Sequence, residues 1–157
     1  INTKKHTILE KSSMTKNDKD AVREEMQRHS KSGAVLFAVM GGSFSEGIDL
    51  PGDLLQGVII VGLPLERPDL SVTALIDYYD KRFNRGRDYG YNFPAMIKAM
   101  QAAGRCIRTE TDRGVIVFAD ERFLWDNYRK MFPKDLEFSI TSTPDKEITK
   151  FFGRNIS

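Results

Sequence analysis

Four short apolar runs alternate with longer amphipathic segments along this chain of 157 residues. The runs are HTILE (6–10), AVLFAV (34–39), GVIIVGLPL (57–65) and GVIVFAD (114–120). The last three are continuous and rich in Val and Ile, which is typical of strands buried on both faces of a parallel sheet. We therefore predict four strands, three of them covered on both faces.

Helical patterns fill most of the remaining chain, at 15–33, 71–83, 92–108, 121–132 and 144–152. The first is predicted to begin at a Thr or Asn cap and to end at Gly33. Two helices carry apolar stripes that are expected to face the sheet. These stripes are Val72, Leu75, Ile76, Tyr79 and Phe83, and Phe93, Met96, Ile97, Met100 and Ile107.

Strands that alternate with helices predict an α/β protein with a mainly parallel sheet and helices on both faces. Ligands of such sheets bind outside the carboxyl ends of the strands. The loops after residues 39, 65 and 120, and the helix ends that face them, are therefore the expected functional edge.

Composition and charge exclude several classes of protein. Hydrophobic residues make up 40% and charged residues 29%, an ordinary globular balance, and the net charge of +2 permits a polyanionic partner without requiring one. The single cysteine, Cys106, excludes a disulfide framework or a multi-cysteine metal site within the chain. His6 and His29 lie far apart in the sequence, so no metal site is expected. Without an apolar run long enough for a membrane or a signal peptide, we expect no membrane partner and no export.

The segment GGSFSEGIDLPG (41–52) follows the second strand directly. Its glycines allow backbone N–H groups to approach an anion, while Glu46 and Asp49 could accept hydrogen bonds from sugar hydroxyls. The alternative is an ordinary polar connection. The phosphate-cradling pattern G-x-x-x-x-G-K-[ST] occurs nowhere in the chain.

The segment QAAGRCIRTETDRG begins at Gln101. Gln101, Arg105 and Arg108 have the spacing that places them on one face of a helix, where they could hold an anion. The alternative is a solvated face paired with nearby acidic residues. Gly104 is expected where another backbone or a ligand comes close, and Cys106 is expected to be a small buried hydrophobe.

The segment DYYDKRFNRGRDYGYNF (77–93) mixes basic and aromatic side chains. Basic groups can follow phosphates while rings stack on bases, as proteins that bind single-stranded nucleic acid do. Phe83 and Phe93 are better explained as core anchors of their helices, and Trp125 with Leu124 and Tyr128 is expected to belong to the core. The interleaved residues are Lys81, Arg82, Arg85 and Arg87 with Phe83, Tyr89, Tyr91 and Phe93.

Two of these segments also resemble known motifs. GGSFSEGIDLPG resembles motif V, and QAAGRCIRTETDRG resembles motif VI, of superfamily 2 helicases. With GLPLERP and GVIVFADERF, they make the chain similar to the XPD-type branch of iron–sulfur DNA helicases, which includes DinG-like enzymes, and most of all to an archaeal member. The resemblance runs from Thr7 through Phe132.

The resemblance implies a RecA-like fold, that of a P-loop NTPase-like helicase C-terminal domain. Residues 1–133 would form this second motor domain without its first strand, and residues 134–157 its closing helix. Since the chain begins with Ile1, we expect it to be the carboxy-terminal part of a larger polypeptide.

The resemblance also implies ligands and partners. ATP and Mg²⁺ would be bound mainly by the first motor domain of the same polypeptide, which would also carry the iron–sulfur cluster, and the partner would be single-stranded DNA. The full-length protein would be a monomeric, ATP-dependent 5′–3′ DNA helicase in DNA repair, whereas the isolated chain would be inactive. It would be cytoplasmic and nucleoid-associated in a prokaryote, or nuclear in a eukaryote. A non-catalytic RecA-like module that binds DNA or protein, or an RNA helicase, is the alternative.

Carried over residue by residue, the resemblance assigns roles within both motifs. Arg105 and Arg108 match the motif VI arginines that reach the γ-phosphate, and Gln101 would order that network. Near the ribose we expect Gly47, Asp49 and Glu46. Ser43 and Ser45 are expected to contact the DNA backbone, and the basic segment adds Arg82 and Arg85 as candidate DNA contacts.

Overall fold

The computed structural model describes residues 5–44, 54–107 and 112–153. All four apolar runs are confirmed as strands: β1 (His6–Leu9), β2 (Ala34–Phe37), β3 (Gly57–Val61) and β4 (Val115–Ala119). The α-helices are α1 (Lys16–Arg28), α2 (Leu70–Phe83), α3 (Phe93–Ala103), α4 (Asp126–Arg129) and α5 (Pro144–Gly153). A π-helix (Asp88–Asn92) leads into α3, and a 3₁₀ helix (Glu121–Leu124) precedes α4.

The strands pair in parallel, as predicted. β1 pairs with β2, with His6 opposite Ala34, and β3 pairs with β4, with Gly57 opposite Val115. Within the described residues these are two separate two-stranded sheets. The crossover from β3 to β4 runs through α2 and α3, so α3 returns antiparallel to both strands.

Helix α1 begins at the predicted Thr15 cap. The Thr15 hydroxyl accepts from Asp18 N at 3.2 Å, and the Asp18 carboxylate accepts from Thr15 N at 2.8 Å. These two bonds satisfy donors that a helix N-terminus otherwise leaves unpaired. The helix ends at Arg28 and not at the predicted Gly33, which has a φ of +84° in the turn before β2.

Two apolar clusters hold these elements together. The smaller one joins β1, α1 and Phe44, and the larger one joins β3, α3 and the segment after β4. Phe118 makes edge-on contacts with Phe123 and Phe132, with ring centroids 5.0 and 5.1 Å apart. The buried members are Ile8, Val22, Met26 and Phe44 in the smaller cluster, and Ile60, Leu63, Met96, Ala99, Ala103, Phe123, Tyr128 and Phe132 in the larger.

The prediction that β3 is buried on both faces is wrong for the described part of the chain. Ile60 is 2% exposed, whereas Ile59 and Val61 on the opposite face are 64% and 74% exposed. Helix α3 covers only the Ile60 face. The predicted stripe of α2 is covered only in part: Val72, Ile76 and Tyr79 are half-buried, and the other two members are exposed, Leu75 at 41% and Phe83 at 51%.

The predicted face of α3 is confirmed only in part, since Met96 and Met100 pack in the larger cluster. Ile97 and Ile107 are 53% and 43% exposed, whereas Met96 is buried among three alanines, Ala95, Ala99 and Ala103. Small side chains allow a helix to approach its neighbour closely, so they occupy the contact while larger apolar residues lie beside it.

The predicted helix at 121–132 is broken in two. Trp125 has an extended backbone (φ −66°, ψ 139°) that separates the 3₁₀ helix from the single turn of α4. Tyr128 is buried as expected, but Trp125 and Leu124 are 51% and 39% exposed, so the core assignment is wrong for both. Among the described residues, no helix combines the length and apolar character needed to cross a membrane.

Candidate nucleotide and nucleic-acid interface

Helix α3 ends before the predicted arginine face is complete. Gly104 N still donates to Met100 O at 2.9 Å, but Arg105 N donates to Ala102 O at 3.2 Å. This second bond spans three residues instead of the four of an α-helix, so the chain turns more tightly after Ala103. The prediction that Arg105 continues the helix is therefore wrong. Gln101 is exposed in the last helical turn, Arg105 is half-buried in the following turn, and Arg108 lies outside the described residues.

Cys106 fixes the position of this turn, and its predicted burial is confirmed. Its Sγ lies 3.6 Å from Leu55 O and 3.8 Å from Val115 O, and the residue is 2% exposed. Burial raises the pKa of the Cys106 thiol, which keeps it neutral. In the described part of the chain, Gly104 meets no close backbone from another element, since an added β-carbon would contact only Met100 O at 3.4 Å and Gln101 O at 3.8 Å.

The contacts of Cys106 locate the arginine segment at an unexpected edge of the sheet. Leu55 precedes β3, and Val115 is the first residue of β4, so this segment lies at the amino ends of both strands. The expected functional edge, at the carboxyl ends of the strands, does not include this segment, because α3 runs antiparallel to the strands and ends near their beginnings.

The turn that leaves β2 is closed by a carboxylate that follows β1. Glu10 accepts hydrogen bonds from Val39 N at 2.7 Å and from Phe44 N at 3.1 Å. Ser43, a predicted DNA contact, is half-buried between these donors. The other residues predicted in this segment, Ser45, Glu46, Gly47 and Asp49, lie outside the described residues.

The basic and aromatic residues at 78–93 form one cluster. Tyr89 stacks on Phe93 with ring centroids 5.4 Å apart and lies 5.8 and 5.7 Å from Tyr79 and Phe83. Three guanidinium groups lie over these and neighbouring rings at 5.5 to 5.8 Å: Arg82 over Phe83, Arg85 over Tyr89 and Arg87 over Tyr91. Phe93 is half-buried, whereas Phe83 is 51% exposed, so the prediction that Phe83 is a core anchor is wrong.

Hydrogen bonds connect Arg85 to the core. Its guanidinium donates to Asp88 at 2.8 and 3.2 Å, Asp88 accepts from the Asn92 amide at 3.2 Å, and Asn92 accepts from the buried Tyr128 hydroxyl at 3.2 Å. The Arg85 hydrogen bond lowers the pKa of Asp88. Arg85 is thus part of the fold, whereas Arg82 lies on the surface of α2, where it donates to the Tyr78 hydroxyl at 2.7 Å and lies over the Phe83 ring.

The carboxyl ends of β3 and β4 carry an ion pair that the sequence reasoning missed. Asp120 accepts from the Arg122 guanidinium at 2.7 to 3.2 Å and from Arg122 N at 2.9 Å. These bonds lower the pKa of Asp120. An acidic residue at a strand end followed two residues later by arginine is the signal that could have indicated it.

Two further groups of side chains that are distant in sequence lie in contact. Glu66, which follows β3, pairs with Lys98 of α3. His6 and His29 are distant in sequence but stack with ring centroids 4.0 Å apart, beside Glu25. No group of three or more side chains among the described residues has an arrangement suited to a metal ion.

Comparison with known proteins identifies the family. A family model described as a helicase C-terminal domain matches residues 1–138. The chain belongs to this family. In this helicase C-terminal domain we call the turn around Arg105 the motif VI segment, and the turn closed by Glu10 the start of motif V, after the motifs that their sequences resemble.

Relatives and solved structures narrow the branch to the XPD-type helicases. The chain is 34% identical over 138 residues to the transcription and DNA repair factor IIH helicase subunit XPD of Dictyostelium discoideum, covering 78% of this chain and 18% of that one. It is 30% identical over 162 residues to the ATP-dependent DNA helicase chl1 of Aspergillus clavatus, covering 92% and 22%. A solved XPD structure shares the fold with a TM-score of 0.64 and 24% identity, covering 83% of this chain and 26% of that one.

These similarities make the chain the C-terminal domain of an XPD-type helicase, with a RecA-like fold. It spans between 11% and 22% of the length of five curated relatives that it matches.

Proposed function

We propose that this helicase C-terminal domain is the second motor domain of an ATP-dependent 5′–3′ DNA helicase. It completes an ATP site shared with a first motor domain of the same polypeptide and contacts single-stranded DNA. The first domain binds most of the ATP with its Mg²⁺, and an iron–sulfur cluster lies elsewhere in that polypeptide. The isolated chain is inactive because half of the ATP site is absent from it.

The observation that carries this proposal is the placement of the motif VI segment. Arg105 is held in a turn that the buried Cys106 fixes to the beginnings of β3 and β4. The sequence contains no phosphate-cradling pattern of its own. An arginine that is rigidly placed in a chain without a phosphate loop is suited to a phosphate that another domain presents.

Arg105 and Arg108 then act as the charge-stabilising groups of the shared site. A guanidinium carries a delocalised positive charge and a planar fork of donors, so it stabilises negative charge on a γ-phosphoryl group during transfer. Gln101, one helical turn before Arg105, orders this network from the exposed end of α3.

Motif V supplies the DNA and ribose contacts in this proposal. Ser43 and Ser45 contact the DNA backbone, while Glu46, Gly47 and Asp49 lie near the ribose. Support for Ser43 comes from its position in a turn whose backbone is fixed by Glu10.

A second DNA-contacting surface is proposed at Arg82 and Arg85. Guanidinium groups and aromatic rings share this surface, which offers both charge for phosphates and faces for stacking.

We also propose the domain organisation of a monomeric helicase. Residues 1–133 form the motor domain without its first strand. Residues 134–157 close the same domain. The contact of α5 supports this, because Arg113 donates to Phe151 O at 2.6 Å and lies over the Phe151 ring.

The experiment that tests the arginine assignment uses the full-length protein. Arg108→Ala and Arg105→Ala are compared with Arg129→Ala, which removes an exposed arginine from α4. Loss of an arginine finger lowers kcat for ATP hydrolysis by about 10³ to 10⁵, while DNA affinity stays within about twofold of wild type because no DNA contact is removed. Normal ATPase in Arg108→Ala would contradict its role as the finger.

A non-catalytic DNA- or protein-binding module is the alternative outcome. Full-length wild-type protein without ATPase, but with DNA affinity that depends on Arg82, would favour that module.

A further inference from the structure

Glu10 connects the end of β1 to the turn that begins motif V. Its backbone N–H donates to Phe37 O at 2.9 Å, which continues the β1–β2 pairing by one residue. Its carboxylate then reaches the chain beyond β2, where Oε2 accepts from Val39 N at 2.7 Å and Oε1 accepts from Phe44 N at 3.1 Å. One side chain therefore holds both ends of the turn.

The turn is shaped to receive this carboxylate. Gly41 has a φ of +85°, and Gly42 N donates to Val39 O at 2.8 Å, so the chain folds back tightly. A β-carbon on Gly42 would lie 2.8 Å from both Glu10 carboxylate oxygens. Glycine at position 42 is thus required for the approach of the anion, as in other backbone turns that enclose an acidic group.

Phe44 fixes the other side of the turn. Its ring is 7% exposed in the cluster with Ile8, Val22 and Met26, while its N–H is bonded to Glu10. Ser43 precedes it directly, so the backbone at Ser43 is constrained by a buried ring and by a carboxylate.

We propose that Glu10 is a positioning residue that sets the orientation of Ser43 for DNA. The carboxylate accepts hydrogen bonds from backbone N–H groups that could otherwise bind a phosphate of the DNA. The Ser43 hydroxyl therefore makes the phosphate contact. This inference rests on the proposed function, because it requires Ser43 to contact the DNA backbone.

The proposal requires two acceptor oxygens on the side chain of Glu10. A glutamine side chain has nearly the same shape, but its NH₂ group donates and would face one of the two backbone donors. Glu10→Gln therefore removes one bond without creating a cavity. Glu24→Gln is the matched control, because Glu24 is an exposed carboxylate on α1.

The first test measures the turn itself in the full-length protein. Hydrogen exchange in Glu10→Gln should be about tenfold or more faster at whichever of the Val39 and Phe44 amides loses its acceptor, the equivalent of losing a charge-assisted hydrogen bond. Exchange in Glu24→Gln should match wild type at both amides. Unchanged exchange in Glu10→Gln would overturn the proposal whatever the protein does with DNA.

The second test measures affinity for single-stranded oligonucleotides in a double-mutant cycle. Glu10→Gln and Ser43→Ala should each raise the Kd about tenfold, and the double variant should be little weaker than Ser43→Ala. If Glu10 only stabilised the fold, the two substitutions would raise the Kd independently. A double variant whose increase in Kd equals the product of the two single increases would overturn the positioning role.

The two tests separate the failure of this inference from the failure of the proposed function. If Ser43→Ala binds DNA like wild type, the DNA contact assigned to Ser43 is wrong, and so is the role of Glu10 toward DNA. If Ser43→Ala binds weakly and Glu10→Gln does not, only the Glu10 proposal fails.

Discussion

The Sγ atom of Cys106 fills the space that a side chain at position 114 would need. A β-carbon added to Gly114 would lie 2.3 Å from this sulfur and 3.3 Å from Gln56 O. The motif VI turn and the residue before β4 are therefore packed directly against each other, and the two positions should respond to mutation together.

Gly114→Ala is expected to destabilise the protein by about 1–3 kcal/mol, because overpacking forces Cys106 from its site. Adding Cys106→Ala should restore part of the loss by removing the sulfur. Urea unfolding of both single variants and the double variant measures this coupling. A double variant no more stable than Gly114→Ala would show that the sulfur is not the obstacle.

Gly90→Ala and Gly104→Ala are expected to have opposite effects on stability. A β-carbon at Gly90 would lie 2.8 Å from Ile76 N and 2.9 Å from Ile76 Cα, so it would push α2 from the π-helix at a cost of about 1–3 kcal/mol. Gly104 has a φ of −64° that alanine adopts freely, so alanine there should be neutral or stabilising by up to about 1 kcal/mol. Denaturant midpoints of the two variants check the contrast, which would be contradicted by equal losses.

Arg82→Ala is expected to weaken binding of single-stranded DNA and to reduce the slope of log K against log salt by about 0.7, the value for one phosphate contact on a single strand. Arg85→Ala should change this slope less, because Asp88 already neutralises part of its charge. Its larger effect should be a lower melting temperature, since the Arg85–Asp88 pair leads through Asn92 to the core.

A salt titration of DNA affinity, with melting curves for both variants, separates these two roles. Unchanged affinity in both variants would give the whole segment a structural role.

Asp120→Asn is expected to lower the free energy of unfolding by about 1 kcal/mol at neutral pH. This value is at the low end for charged hydrogen bonds, because the Asp120–Arg122 pair borders solvent, which screens it. The pKa of Asp120 is lowered in the folded state, so its contribution is fully present above the unfolded value near 3.8 and is lost as the pH falls through the folded value. The difference between variant and wild type should therefore be constant from pH 7 to about pH 5 and disappear in stronger acid. Unfolding curves across this range measure it, and a difference that persists in acid would contradict the ionic origin.

The strands could be predicted from the sequence because each is a short apolar run with its own boundaries. Thr15 was equally readable, since a capping box depends on residues only three positions apart. The end of α3 was not, because Arg105 and Arg108 continue the helical spacing while the backbone after Ala103 turns more tightly.

Contacts between distant residues account for the rest. Glu10 is 29 and 34 residues from the donors that it accepts from, and no local pattern marks that pairing. The buried alanines of α3 were missed because hydrophobicity alone favours Ile97 over Ala99. The motif VI segment could be recognised only as a sequence pattern. Its place at the amino ends of β3 and β4 depends on how Cys106 packs, which the spacing of residues in the sequence does not encode.

The exposed face of β3 affects the self-association of this chain in solution. Ile59 and Val61 project side by side from a strand, at 64% and 74% exposure, and adjacent exposed apolar side chains promote self-association as concentration rises. We therefore expect light scattering to increase with concentration while the circular dichroism of the chain stays unchanged. That combination would indicate that folded molecules associate through β3 without unfolding.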